Sequence, residues 1–250
     1  MIVIDIGNTD IVIGIYTNNK LDKILRFNTK TQKTIELIKS RFTNQYIHRL
    51  KIKYKICILS SVVPEINNKI LSLFKSLKFK VLNININNIP FDVQFNYQSK
   101  ELGSDRIANT LAAIQKYGKN CLIIDFGTAT TFDVIKNNKY KGGVIAPGIA
   151  ISHDALVRHA SKLKKIPIIR IKTLIGKNTK DSMQSGFYWG YISLINGVID
   201  KIIKQQRFKP AIILTGGLAN IFKKEISKKT EHEPNLTLNG LYLIGKIKYA

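Results

Sequence analysis

Two short phrases in the 250-residue chain, VIDIGNTD at 3–10 and IIDFGTAT at 123–130, share one composition. Each closes an apolar run with an aspartate, then adds a spacer, a glycine and small hydroxyl or amide residues. An aspartate ending a buried strand is costly unless something positive meets it. Glycine lets the backbone come close to a ligand, and successive turn N–H groups form a concave anion site. Thr9, Thr128, Thr130 and Thr131 add hydroxyl donors. Phosphate handling uses this combination: turns that hold phosphate oxygens, and carboxylates, here Asp5 and Asp125, that hold a hydrated cation against them. One copy alone reads more readily as a solvated hairpin with a charged edge. Two copies in matching positions favour phosphate. A third turn, Thr215-Gly216-Gly217, follows the run AIIL. A turn without side chains can pass against a flat ring or a ribose, and a tight strand-to-helix connection fits it equally.

Gly103-Ser104-Asp105-Arg106 offers a different chemistry. Arg106 is a fork-shaped partner for a carboxylate, and Asp105 can accept a proton from an attacking hydroxyl. A neighbouring arginine lowers an aspartate pKa, which makes positioning matter more than basicity. The residues alone favour a plainer reading, in which Ser104 or Asp105 caps the next helix and Arg106 is solvated. Other phosphate schemes fail. Gly176-Lys177-Asn178-Thr179 hints at a Walker loop, but Ile171 stands where its first glycine belongs and Asn178 follows the lysine. Asp125-Phe126-Gly127 spells a kinase metal triplet without the accompanying catalytic and glycine-rich loops.

The elements that must position these residues alternate. Strands are expected at 2–5 and 10–16, a helix over 31–47 capped by Thr31, a strand at 55–63, a helix at 65–77 and a strand at 78–84. A helix from Asp105 stops at Gly118. The pattern then restarts, with strands at 121–125 and 130–136, the tight turn Asn137-Asn138 and a returning antiparallel strand. Helical segments near 149–163 and 178–204 follow, then a strand at 211–217 and a helix at 218–228. This is an α/β pattern. The restart predicts two related halves, 1–117 and 118–250.

Composition narrows the class. The net charge is +24, yet lysine supplies 33 of the 40 basic residues. The lysines are dispersed, with short clusters at 162–165 and 223–224 that no aromatics interrupt. Such charge reads as a solvated surface, with no nucleic-acid partner expected. No apolar run approaches the roughly 20 residues of a membrane span, so no membrane partner and a cytoplasmic place are expected. Cys57 and Cys121 lie in apolar runs and read as small buried hydrophobes. No zinc-ligand spacing appears.

Asp5-Ile6-Gly7-Asn8-Thr9, Gly103–Arg106, Asp125–Asp133, Gly142–Gly148, Gly176–Thr179 with Gln184-Ser185-Gly186, Thr215–Gly217 and Asn235–Leu241 together resemble type III pantothenate kinase. They occur in that family's order along essentially the whole chain. The resemblance implies the fold of the actin, sugar-kinase and heat-shock ATPase superfamily: two ribonuclease-H-like halves with mixed sheets and ATP in the cleft between them. It implies ATP-dependent phosphorylation of pantothenate on its primary hydroxyl, the first step toward coenzyme A, with Mg²⁺ and a monovalent cation, K⁺ or NH₄⁺. The first phosphate turn would be Asp5, Ile6, Gly7, Asn8, Thr9, Asp10, Ile11 and Val12, with Asp5 near the Mg²⁺. Thr128, Gly216 and Gly217 would meet ATP, and Asp125 the monovalent cation. Gly103, Ser104, Asp105 and Arg106 would bind pantothenate, with Asp105 as general base and Tyr97 and Thr179 lining the pocket. A homodimer would help close that pocket. The chain departs from the family between Tyr97 and Gly103, which lacks the usual proline and is one residue shorter. Another small-molecule kinase or phosphatase on the same fold, and a non-enzymatic actin-like scaffold, are the competing readings.

Overall fold

Ile2–Ile6 (β1) and Asp10–Thr17 (β2) form an antiparallel pair, and Lys20–Asn28 (β3) adds to it through the turn at Asn18 and Asn19. Both asparagines have positive φ, 48° and 63°, as a two-residue hairpin turn requires. This strand was not expected from the sequence. Its residues are nearly all half-buried or exposed, so it lacks the solid apolar run that marked β1 and β2. The computed structural model describes residues 1–50, 52, 54–95, 97 and 101–249.

The segment expected as one helix over 31–47 is two, Thr34–Arg41 (α1) and Asn44–Arg49 (α2). The Thr43 hydroxyl accepts from the Tyr46 N–H at 3.2 Å and starts the second helix, a capping signal stronger than Thr31. Ile56–Ser61 (β4), Pro64–Ser76 (α3) and Lys80–Asn83 (β5) follow, then Gln94–Phe95 (β6) and Ser104–Tyr117 (α4). The first sheet has the order β3-β2-β1-β4-β5, with β4 and β5 parallel to β1. Period-2 alternation divides its faces. Ile2, Ile4, Ile6, Ile11, Ile13 and Leu59 point to one side and pack with Ile38, Phe42, Ile70 and Phe74 of the helices.

The second half repeats the plan. Cys121–Phe126 (β7), Ala129–Lys136 (β8) and Lys139–Pro147 (β9) form the antiparallel trio, and Asn137 and Asn138 supply the same positive-φ turn. Ile149–His159 (α5), Thr179–Ser185 (α6), a π-helical turn at Gly186–Gly190 and Tyr191–Gln206 (α7) lead to Ala211–Thr215 (β10). The helix expected over 218–228 is only Ala219–Phe222 (α8), followed by Thr230–His232 (β11). Within this half the order is β11-β10-β7-β8-β9, with β10 parallel to β7. Both trios carry a register shift on their middle strand, after Ile15 and after Val134.

The chain divides into two compact units, one from Met1 to Lys116 plus the residues from Asn235 onward, the other from Tyr117 to Pro234. The sequence placed the last residues in the second half. Leu236–Tyr249 (α9) instead packs on the first sheet, where Gly245 lies against Met1 and Ile58 and the Tyr16 hydroxyl donates to Asn239 Oδ1 at 2.7 Å. Among the described residues no helix is long and apolar enough to cross a membrane. Cys57 and Cys121 are fully buried, and burial pushes the Cys121 thiol up to about 12.

Candidate active site

In the first unit the chain leaves β1 after Ile6 and enters β2 at Asp10 through Gly7, Asn8 and Thr9. The Gly7 N–H donates to the Asp10 carbonyl at 2.9 Å and closes the turn. Asn8, Thr9 and Asp10 are exposed and Asp5 is half-buried, while Ile11 is buried and Val12 partly so. Thr29, to which the sequence gave no role, braces this turn twice. Its hydroxyl donates to the Gly7 carbonyl at 2.7 Å, and its N–H donates to the Thr9 carbonyl at 2.8 Å. No local pattern signals it, because its partners lie some twenty residues away.

The start of α4 reaches the same edge of the sheet. Asp5 pairs with Ser60 and Ile6 with Ser61 in the parallel β1–β4 ladder. The Ser104 hydroxyl lies 3.0 Å from the Ser60 hydroxyl and accepts from the Ser61 N–H at 2.9 Å. Ser104 therefore ties α4 to β4, which corrects its reading as a cap on its own helix. Asp105 and the Asp5 turn thus share the carboxyl-terminal edge of β1 and β4, where ligands of open α/β sheets bind.

Asp105 folds back along its helix. Its Oδ1 accepts from the Arg106 N–H at 2.9 Å, and a Cβ at Gly103 would overlap that same oxygen. Gly103 thus supplies room for the carboxylate. Burial raises the Asp105 pKa, and the Arg106 N–H and charge pull it down by less. The expectation that arginine would make this carboxylate a weaker base is corrected, since desolvation dominates. Arg106 is buried, only 7% exposed, with its guanidinium carbon 5.9 Å from the centre of the half-buried Tyr97 ring. The solvated reading of Arg106 does not hold.

In the second unit, Asp125 and Thr215 are register partners on β7 and β10. Gly216 follows with φ +87°, and a Cβ there would lie 2.5 Å from Asp125 Oδ1 and 2.6 Å from the Phe126 backbone. Only glycine serves at this position, for both conformation and space. Gly217 has nothing within 4 Å of a Cβ and is exposed. The Gly127-Thr128 turn is closed by the Gly127 N–H to the Ala129 carbonyl at 3.1 Å. Gly148 seats the start of α5 directly on it, since a Cβ there would overlap the Thr128 carbonyl. Behind the turn the buried Thr130 hydroxyl meets the Tyr191 hydroxyl at the start of α7. Asp133, fully buried, receives the Tyr140 hydroxyl at 2.6 Å.

Thr179 belongs to another element of the second unit. It is the first residue of α6, exposed, with Asn178 capping the helix through the Asp181 N–H at 2.9 Å. It lines a 540 Å³ cavity with Leu156, Ser182, Met183, Gly186 and Phe187.

The family model described as type III pantothenate kinase matches residues 1–201. Type III pantothenate kinases of Halalkalibacterium halodurans and Shouchella clausii are 40% and 41% identical to the chain, each covering 98% of both sequences. The chain belongs to the type III pantothenate kinase family. Solved structures agree on the fold. A putative Baf family transcriptional activator from Campylobacter jejuni superposes with a TM-score of 0.64 at 20% identity, covering 99% of this chain and 98% of its own. The ROK hexokinase of Thermus thermophilus superposes with a TM-score of 0.52 at 11% identity over both full chains. The fold is therefore a mixed-sheet α/β architecture that the ROK hexokinase shares.

Proposed function

We propose that the chain transfers the γ-phosphoryl group of ATP to the primary hydroxyl of pantothenate, giving 4'-phosphopantothenate and ADP. Membership of a phosphotransferase family supports the reaction class. The observation that carries the residue roles is Asp105: a half-buried carboxylate with a raised pKa, on the strand edge that also bears the Asp5 turn. The pantothenate hydroxyl oxygen attacks the γ-phosphorus, and the bond from phosphorus to the β,γ-bridging oxygen breaks. The electrons of that bond leave with ADP. Asp105 takes the hydroxyl proton, and its raised pKa favours that transfer. Arg106, buried beside Tyr97, fits the pantothenate carboxylate as a fork.

The turn from Asp5 to Val12 and the Thr128 turn bind ATP phosphates through N–H groups and hydroxyls, and the Gly216-Gly217 turn meets ATP. Among the described residues no group of three or more His, Cys, Asp or Glu side chains is arranged to hold a metal ion. A carboxylate such as that of Asp5 suits Mg²⁺, which takes one or two carboxylates and completes its shell with phosphates and water. The carboxylate of Asp125, with Gly216 packed closely against its Oδ1, is the group assigned to a monovalent cation, K⁺ or NH₄⁺. Bound there, such ions would neutralise phosphate charge. Exposed Leu174 and Ile175, 66% and 83% accessible, support a homodimer that buries them, with Thr179 on the pantothenate side.

The deciding experiment is ADP release from purified protein with ATP, Mg²⁺ and K⁺, with and without pantothenate. The expected outcome is release that depends on pantothenate, with phosphopantothenate identified by mass spectrometry. Release without pantothenate would mean a hydrolase or another acceptor, and none from folded protein would end the kinase reading.

A further inference from the structure

A second cavity lies in the first unit at the far end of the sheet from the phosphate turn. It encloses 290 Å³ and is lined by Tyr16, Tyr54, Tyr242, Tyr249, Lys246 and the turn at Asn18 and Asn19, among others. β2 separates the two sites: the phosphate turn precedes Asp10 and the cavity begins at Tyr16. The strand rise puts them about 20 Å apart along the strand.

Four of the chain's ten tyrosines meet in this one space. Tyr16 and Tyr242 stack at 4.1 Å with their planes 7° apart. Their hydroxyls are held, Tyr16 to Asn239 and Tyr242 to Asn19 Oδ1, each at 2.7 Å. The aromatic wall is therefore fixed before any ligand arrives, which lowers the ordering cost of binding. Tyr242, Lys246 and Tyr249 fall at i, i+4 and i+7, one face of α9. The core-facing residues of that helix, Leu238, Leu241 and Ile244, are different ones. This face thus serves the cavity rather than the core.

Its charge has one sign. Among the described residues no acidic side chain lines it. Lys246 is exposed and makes no ion pair among the described residues, and the Lys80 ammonium sits 4.5 Å from the centre of the Tyr249 ring. Flat aromatic walls accept flat rings, and the exposed Lys246 ammonium accepts an anion. The small volume excludes an extended ligand. We propose that this cavity binds a planar heteroaromatic ring carrying an anionic group, the chemistry of a nucleoside monophosphate, at a site separate from the phosphate turns.

Adenosine monophosphate is the probe. It is titrated calorimetrically into the full chain in the presence of a saturating non-hydrolysable ATP analogue, beside adenosine and inorganic phosphate as separate arms. The expected result is saturable binding of the monophosphate at least ten-fold tighter than either fragment. Lys246→Glu, at an exposed position, should weaken it at least ten-fold with an unchanged thermal midpoint. Tyr54→Ala should weaken adenosine and its monophosphate alike. No saturable binding with the analogue present would overturn the proposal. So would affinity indifferent to Lys246→Glu, or phosphate binding as tightly as the nucleotide. None of these readings requires the chain to turn over pantothenate, so failure of the kinase reading remains distinguishable.

Discussion

Burial raises the Asp105 carboxyl pKa above its ordinary 3.8, and the Arg106 N–H and charge offset this only in part. The folded chain therefore holds that proton more tightly than the unfolded chain does. Stability from this group is full below the unfolded pKa and is lost as pH rises through the folded value. At pH 7 this carboxyl group is thus a local liability. Asp105→Asn should melt higher than the parent at pH 7, with the difference shrinking on acidification, as scanning calorimetry would show. The same variant should lose about 10²-fold in turnover while still binding ATP. Parent turnover should fall on acidification with a midpoint above that of an ordinary carboxylate. Gly103→Ala tests the geometry without removing the base. Its methyl group would displace Oδ1, so kcat should fall by about ten-fold or more with a smaller change in KM.

At the scale of elements, the strand-turn-strand units were the readable part. β1 and β7 announce themselves because each is a solid apolar run closed by aspartate and glycine, and β2 and β8 follow them across the turn. β3 escaped although Asn18-Asn19 is the same dipeptide that marked the Asn137-Asn138 turn. Its lysine-rich strand hid it, since sheet edges carry charge that blurs the alternation. The phrases of the candidate site were legible in the same way, as residue types at fixed spacing. Their supports were not. Thr29 under the Gly7 turn and Ser60 under Ser104 act across long sequence distances, and only the fold brings them together. Gly216 lies between these cases. Its glycine pair was visible, but the reason, a positive φ with Asp125 and the Phe126 backbone in the way of any Cβ, was not. Gly216→Ala should cost about 1–3 kcal/mol from the strained backbone alone. The steady-state KM for ATP should rise with it, because the displaced group is Asp125.

For the whole molecule, the repeated order of three antiparallel strands followed by two parallel ones explains why one phrase occurs twice. The repeat does not divide the chain simply, since α9 returns to the unit that began it. Gly240 shows how closely that helix is fitted. A Cβ there would overlap the Ala108 carbonyl of α4, the helix that carries Asp105, and Thr237 bonds Asn109 at 2.8 Å one turn away. α9 thus fixes the height of α4 on the first sheet, and with it the edge that carries Asp105. Gly240→Ala must push the two helices apart. Overpacking of this kind typically costs about 1–3 kcal/mol, and denaturant unfolding should show a midpoint lowered accordingly. Turnover should fall as well, because Ser104 can no longer reach Ser60 and Ser61. Gly217→Ala is the control, since its Cβ has open space, and it should leave the unfolding midpoint near that of the parent. Full activity in a destabilised Gly240→Ala would mean that α9 supports the fold without setting the position of Asp105.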